Sequence, residues 1–189
     1  MQDEIRRDPE IDRTTSTSSS PGTTGRARAR LAPLKDLNDL EVAEGDPDVR
    51  GWTVKADGEQ KIGKVDDLIV DPDAMKVRYL VVELDKDAVG ASDDRLVLVP
   101  IGNARLYEDT DDVRLNVPAA SLATMPLYDK DRLSDPAYQG SIQSGYGITG
   151  TSDTLYDTSP AYDDEQFFGG RRQGRERDPY FVRGRQSGR

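Results

Sequence analysis

The chain has 189 residues, of which 34% are hydrophobic and 33% charged, and its net charge is −10. It contains no cysteine and no histidine, which excludes disulfides, thiolate metal sites and thiol nucleophiles and removes the usual general base near neutral pH. The first residues are polar and acidic, and no apolar stretch is long enough to cross a bilayer, so we expect a cytoplasmic protein without a transmembrane segment of its own.

The composition divides the chain into three parts. Residues 1–30 are predicted to be a disordered arm, because residues 14–25 consist only of Ser, Thr, Pro and Gly. Residues 31–128 have 11 basic and 21 acidic residues, a net charge of −10, and contain the apolar patterns that can build a core. Residues 129–189 return to Gly, Ser, Asp and isolated Tyr, which predicts a disordered tail with an Arg-rich end.

The first half of the body reads as strands joined by turns. Residues 51–71 form two predicted strands around a turn at residues 56–59. After a turn at residues 72–75, the stretch KVRYLVVELD (Lys76–Asp85) is apolar on both faces, which is typical of a central strand covered on each side.

The second half continues the same pattern. Residues 86–94 read as a loop, and Arg95–Gly102 as a strand in which Pro100 indicates a bulge or a strand end. Two further strands flank a turn at residues 110–112, and residues 118–126 read as one short helical turn. Five or six short strands favour a mostly β fold, a small antiparallel barrel or rolled sheet.

One stretch has the spacing of a phosphate-binding loop. GEQKIGKV (Gly58–Val65) matches Gly-x-x-x-x-Gly-Lys, but the next residue must be Ser or Thr to hold magnesium, and Val65 has no oxygen on its side chain. The residues that follow have the periodicity of a strand. We interpret Asp57-Gly58 as a hairpin turn and Gly63 as a residue that relieves crowding or allows a bulge.

Other polar motifs are interpreted as structural. DPDVRG (Asp46–Gly51) lacks the acids that a calcium loop requires, so we read it as a solvated turn. Asp66 and Asp67 are adjacent on a strand and should point to opposite faces. We expect Trp52 to pack on the core or its rim, with a platform for a ligand as the alternative. Glu83 lies inside the most apolar strand, which indicates an ion pair with Arg78 or Arg95, or a functionally tuned acid.

The predicted tail carries spaced aromatic residues, and residues 171–189 have seven Arg against two acids. This pattern is typical of a docking motif that orders on a partner, or of a disordered tail without a partner. The Arg-rich end is either an electrostatic contact for nucleic acid or anionic lipid, or a solvated tail that folds back at times against its own acidic body. The candidate docking residues are Tyr138, Tyr162, Phe167, Phe168, Arg171 and Arg172.

Several short motifs follow one another in a characteristic order along residues 31–128. They are Gly-Trp, Asp-Gly, Gly-Lys-Val, Arg-Tyr-Leu and Val-Pro, and together they resemble the PRC-barrel family. The motif residues, which we expect to be mainly structural, are Gly51, Trp52, Asp57, Gly58, Gly63, Lys64, Val65, Arg78, Tyr79, Leu80, Val99 and Pro100.

The resemblance implies a small antiparallel PRC-type β-barrel of five to six strands that mediates assembly and binds no cofactor or metal directly. Family members occur as the cytoplasmic domain of the photosynthetic reaction-centre H subunit, in a ribosome maturation factor and as soluble bacterial proteins linked to stress. In the H subunit, acids in the strand that corresponds to Lys76–Asp85 belong to a proton route, and Glu83 is the acid available for such a role here.

Three functions remain as hypotheses. The first is a non-catalytic adaptor that docks on a larger bacterial complex, most sharply a cap on the cytoplasmic face of a photosynthetic reaction centre. The second is a stand-alone stress protein, and the third a ribosome-maturation-type factor that binds a basic ribosomal protein. The net charge of −10 disfavours direct nucleic-acid binding by the body. We expect no enzyme, because no spacing assembles a nucleophile with a base.

Overall fold

The computed structural model describes residues 30–149, 159–162, 167 and 182–184. Its nine strands are β1 (Ala32–Pro33), β2 (Leu40–Val42), β3 (Thr53–Lys55), β4 (Lys61–Asp71), β5 (Lys76–Leu84), β6 (Arg95–Pro100), β7 (Ala104–Tyr107), β8 (Asp112–Leu115) and β9 (Val182–Gly184). Its three α-helices are α1 (Lys86–Val89), α2 (Ala119–Leu122) and α3 (Pro136–Gly145).

Most of the strands belong to one sheet with the order β6-β5-β4-β3-β8-β7, and β1 pairs with the far end of β4. The neighbours are antiparallel except for β3 and β8, which are parallel, so the expectation of a wholly antiparallel sheet is wrong at this pair. All six strands of the path contribute buried side chains to one interior cluster, because the sheet curls into a half-barrel around it. The mostly β class is as predicted.

Strand β5 is buried on both faces, as its apolar pattern predicts. Leu80 and Val82 belong to the interior cluster, whereas Tyr79 and Val81 belong to a second cluster on the outer face of the sheet. The neighbours of β5 are β4 and β6, which confirms a central strand.

The predicted turns form where the sequence places them. Asp71 accepts hydrogen bonds from the backbone N–H groups of Asp73 (3.2 Å) and Ala74 (3.1 Å) and so organises the turn between β4 and β5. The β7–β8 hairpin turns at Asp111, whose φ of 49° is left-handed. Strand β6 ends at Pro100. The predicted loop after β5 contains the single-turn helix α1, and α2 is the predicted helical turn.

Residues 129–149 differ from the predicted disordered tail. Asp135 caps α3 by accepting a hydrogen bond from the Ala137 N–H at 2.9 Å, and Pro136 occupies the first turn of the helix. Tyr138 and Ile142 then bury their side chains against the outer face of the sheet. The helix was missed because its composition is polar and its apolar stripe is short, so it depends on packing for its stability.

The described parts of the chain beyond residue 149 also contact the body, which differs from the predicted disordered tail but agrees with the alternative that the Arg-rich end folds back against the acidic body. The Phe167 side chain is completely buried in the interior cluster, and its carbonyl accepts a hydrogen bond from Leu106 N–H of β7 at 2.6 Å. Strand β9 pairs with β2 in a separate two-stranded sheet, where Arg183 forms ion pairs with Glu41 (3.0 Å) and Glu44 (2.9 Å). Residues 1–29, the predicted N-terminal arm, lie outside the described residues.

Candidate docking surface

The outer face of the sheet has two halves, and the first is covered. This covered half consists of the outward side chains of β5, β6 and the second part of β4, namely Ile69, Tyr79, Val81 and Leu98, each at most 2% exposed. Leu133, Tyr138, Ile142 and Tyr162 pack over them.

Specific hydrogen bonds hold this cover in place. The Tyr138 hydroxyl donates to the Leu127 carbonyl at 2.7 Å and accepts from Asp129 N–H at 2.9 Å. The Tyr146 hydroxyl donates to the Leu98 carbonyl of β6 at 2.9 Å. The hydroxyls of Tyr79 and Tyr162 are 2.7 Å apart, and their rings meet edge to face. The covered half therefore contributes to the stability of the fold and is closed to a partner.

The second half, which we call the open half, is the outer face of β3, β7, β8 and the first part of β4, together with Glu83 at the adjoining end of β5. Because Val54, Val113 and Leu106 point into the core, their chain neighbours point outward. The strand registers align these outward residues in two rows across the sheet. One row contains Lys61, Lys55, Arg114 and Arg105, and the other contains Glu83, Lys64, Thr53, Asp112 and Tyr107.

The first of these rows, which we call the basic row, consists of four cations on four adjacent strands. The central two have anionic partners: Lys55 forms an ion pair with Asp112, and Arg114 with Glu59 at 2.5 Å. The guanidinium of Arg114 also lies 4.0 Å from the ring centroid of Tyr107. The two end residues, Lys61 and Arg105, are exposed and form no ion pair with any residue that the structure describes.

The acid between these cations remains ionised. Burial would raise the pKa of Asp112, but hydrogen bonds from Lys55 and Thr110 and the positive charges of Lys55 and Arg114 outweigh burial, so the pKa of Asp112 lies below its usual value. A low pKa means that the Asp112 carboxylate stays negatively charged near neutral pH.

Glu83 lies on the open half, and the partners named for it from the sequence are wrong. It pairs with Lys64, the residue opposite it on β4, at 3.1 Å, and its side chain is 42% exposed. Arg78 instead forms a buried pair with Asp71 at 3.4 Å. Arg95 donates hydrogen bonds to the carbonyl oxygens of Ala123 and Met125. Glu83 pairs with Lys64 because the register of β4 and β5 places them opposite each other, and the sequence does not show this register.

The stretch with phosphate-loop spacing is not built as a nucleotide site. Gly63 lies inside β4, and no helix begins after Lys64. A Cβ atom at Gly63 would lie 1.9 Å from the Glu83 carbonyl oxygen, so only glycine allows β4 and β5 to approach this closely. The register between β3 and β4 also skips Ile62, which forms a bulge. Gly63 therefore serves the backbone of the sheet.

The remaining motif residues belong to turns and to the core. Gly51, with a φ of 86°, and Gly58, with a φ of 80°, take left-handed conformations at the two ends of the β3 segment. Asp57 lies in the turn between β3 and β4, and Trp52 is half-buried against the interior cluster. Val65, Leu80 and Val99 are interior residues. In DPDVRG, Asp48 bonds Arg50 of its own turn.

Asp67 is a buried acid that sequence reasoning did not identify. The register of β4 against β5 skips Asp66, and this bulge lets both Asp66 (3.1 Å) and Asp67 (3.8 Å) approach the Lys35 ammonium, contrary to the expected opposite orientations. The side chain of Asp67 is fully buried, and burial raises its pKa despite the nearby Lys35 charge. The adjacent acids Asp66 and Asp67 were the available signal in the sequence. The assumption that side chains alternate strictly along a strand hid their shared contact with Lys35.

The candidate docking residues of the tail are not gathered into one site. Tyr138, Tyr162 and Phe167 are buried in the body of the domain, so their side chains are unavailable to a partner in this structure. Phe168, Arg171 and Arg172 lie outside the described residues.

The described residues contain no group of three or more acidic side chains close enough to hold a metal ion. None of the helices in this part of the chain is both long enough and apolar enough to span a membrane.

A comparison with protein-family models agrees with the motifs and the fold. Residues 41–122 match the model of the PRC-barrel domain. The match begins in β2 and ends in α2, so it includes β3 to β8 and therefore both rows of the open half. Helix α3 and the segments that follow it lie outside the matched range.

Proposed function

We propose that the PRC-barrel domain carried by this chain at residues 41–122 is a non-catalytic docking module that receives a protein partner on its open half. The observation that supports the proposal is the difference between the two halves of the outer face. One is buried under α3, whereas the other presents charged and aromatic side chains to solvent. Like charges directly opposite each other on neighbouring strands are destabilising, so a row of four favours a role outside the folded chain itself.

A photo-crosslinking experiment in the native cells tests this proposal. Benzoylphenylalanine would replace Tyr107 on the open half. As the control it would replace Ser144, an exposed residue of α3, the helix that packs over the covered half. We expect a discrete adduct from position 107 and none from position 144. Equal labelling at both positions, or no adduct from either, would refute docking through the open half.

A finer version of the proposal makes the chain a cytoplasmic cap of a photosynthetic reaction centre that supports proton transfer to a quinone. The family resemblance supports it, together with the position of the Glu83 carboxylate on the open half, 42% exposed. The test is gentle fractionation of the native cells followed by mass spectrometry. The finer version expects co-migration with bacteriochlorophyll proteins at the membrane, and recovery without pigment would leave only the general docking role.

A second candidate is a stand-alone stress protein. The observation that favours it is the packing of Tyr162 and Phe167 into the chain's own body, which lets the chain cover the edge of β7 by itself. It expects a monomer by light scattering of the cell extract and an abundance that rises under desiccation or oxidation. A constant abundance together with a partner-sized complex would rule it out.

A further inference from the structure

We propose that the basic row recognises an extended acidic segment of the partner, with two carboxylates four residues apart and neutral residues between them. This inference rests on the proposed function and adds the chemical class of the partner. It follows from which cations of the open half have anionic partners and which have none.

Charge is distributed unevenly on the domain. Residues 31–128 have 21 acidic and 11 basic residues, yet four of those 11 lie side by side in the basic row. On a body of net charge −10, such a row is the part of the surface that attracts anions. The net negative charge repels a polyphosphate, with one charge per nucleotide, more strongly than a segment with two carboxylates, which favours the acidic protein segment over nucleic acid.

The ion pairs within the basic row determine how far apart the two carboxylates of the partner must be. Asp112 and Glu59 neutralise the central Lys55 and Arg114, so the cations left for a partner are the end residues Lys61 and Arg105. The four residues lie on adjacent strands about 4.8 Å apart, which separates the ends by about 14 Å. In an extended peptide, residues four apart lie on the same face at about 13–14 Å. Neutral residues between the acids avoid repulsion by Asp112 and Glu59.

The row also suits carboxylates for chemical reasons. The Arg105 guanidinium is exposed and can bind a carboxylate through two parallel hydrogen bonds. Next to it, Arg114 is held over the Tyr107 ring, so this part of the surface is ordered before a partner arrives.

The experiment measures binding of fluorescein-labelled nonapeptides to the full-length chain by fluorescence anisotropy in 20 mM and 200 mM NaCl. One peptide has Glu at positions three and seven in a Ser/Thr background, and a second, of equal composition, has Glu at positions three and six. We expect the first peptide to bind more tightly, because residues three apart in an extended chain point to opposite faces. Binding should weaken at the higher salt concentration.

Charge reversal locates the site. Arg105→Glu and Lys61→Glu should each weaken binding of the first peptide about fivefold or more, as expected for the loss of a surface ion pair and the added repulsion. Lys86→Glu, an equal charge change on exposed α1 outside the row, is the matched control and should have little effect. Thermal unfolding of each variant checks that the fold is kept.

The outcomes separate this inference from the proposed function. No binding, equal binding of the two peptides, or an equal loss with Lys86→Glu overturns the inference, while an adduct at position 107 would still support docking. Tight binding of a 15-nucleotide oligothymidylate with the same dependence on Arg105 and Lys61 also overturns it, because the ligand would then be nucleic acid. If the peptides do not bind and no adduct forms from position 107, both the inference and the proposed docking function are refuted.

Discussion

The two halves of the outer face belong to the same sheet but differ in what covers them. On the covered half, Val81 and Leu98 are excluded from water by α3, and their burial stabilises the fold. On the open half, Lys64 and Glu83 form an exposed ion pair, which is worth much less than a buried apolar side chain. The comparison teaches that burial on the outer face of this sheet is confined to one half, and that the half proposed to dock a partner contributes little to stability.

The largest effect should follow from removing the side chain of Phe167, the residue whose backbone carbonyl bonds the β7 edge of the open half. Phe167→Ala removes a completely buried ring from the interior cluster, and we expect a loss of about 3–5 kcal/mol in the free energy of unfolding. Urea unfolding monitored by fluorescence of Trp52, the one tryptophan of the chain, measures it.

Leu127→Ala is the control for this prediction, because Leu127 is 57% exposed and should lose no more than about 0.5 kcal/mol. If Phe167→Ala does not fold, Phe167→Leu keeps most of the volume and should lose about 1.5 kcal/mol or less. Equal, small losses for the Phe167 and Leu127 variants would show that residue 167 does not belong to the core.

The two halves can be compared directly with one substitution on each. Ile142→Ala keeps a good helix former in α3 but opens a cavity over the covered half, and it should lose about 2–4 kcal/mol. Arg105→Ala on the open half removes an exposed side chain and should change stability by about 0.5 kcal/mol at most. Thermal unfolding checks both, and similar losses from the two would contradict a division between stability and recognition.

A smaller effect is expected at Asp67, a buried acid on the covered half, where a substitution should increase the stability of the fold and not decrease it. Burial raises the folded-state pKa of Asp67 above the unfolded value of 3.8, so the folded state binds this proton more readily. The stability that the raised pKa contributes is therefore present below pH 3.8 and is lost as pH rises through the folded pKa.

Asp67→Asn removes the buried charge, and above the folded pKa it should stabilise the fold by about 1 kcal/mol. The gain should shrink as pH falls toward 3.8, which unfolding measured between pH 3.5 and 7.5 would detect. Asp66→Asn is the matched control, because it removes the 3.1 Å pair with Lys35 on a side chain that is 31% exposed, and it should be slightly destabilising. A destabilising Asp67→Asn at neutral pH would contradict the argument.

The smallest effect is expected for the ion pair on the open half. Glu83→Gln removes the pair with Lys64, whose side chains are 42% and 57% exposed, and should lose about 0.5 kcal/mol or less. The loss should shrink further between 20 and 500 mM NaCl, because salt screens exposed charges. A loss above 2 kcal/mol that persists in salt would mean that Glu83 has a buried partner.

Much of the fold could be predicted from the sequence, because its strands carry local signals. The two-sided apolar run of β5, the turn before Lys61 and the strand end at Pro100 were all identified in advance. The parallel pairing of β3 with β8 was not, because it joins residues that lie more than fifty positions apart. Helix α3 was missed because its stability comes from the sheet beneath it and not from its own composition.

The candidate site was the less predictable part. No local pattern joins Lys61, Lys55, Arg114 and Arg105, which come from four strands and meet only through the registers of the sheet. Glu83 was singled out correctly as an acid in an apolar strand, but its partner depended on the residue opposite it. The bulge at Asp66 reoriented the Asp-Asp pair, which strict alternation could not foresee.

By itself, the sequence determined the mostly β class, the positions of the main turns, the core of β5 and the lack of a phosphate-binding chemistry at Gly58–Val65. These features depend on the side-chain period and on the conformations open to glycine and proline, which are local properties. The tertiary structure alone decided which face of the sheet is covered, which charges stand side by side, and that Phe167 belongs to the core. Those outcomes depend on contacts between residues far apart in the chain, and their energies exist only once the sheet has formed.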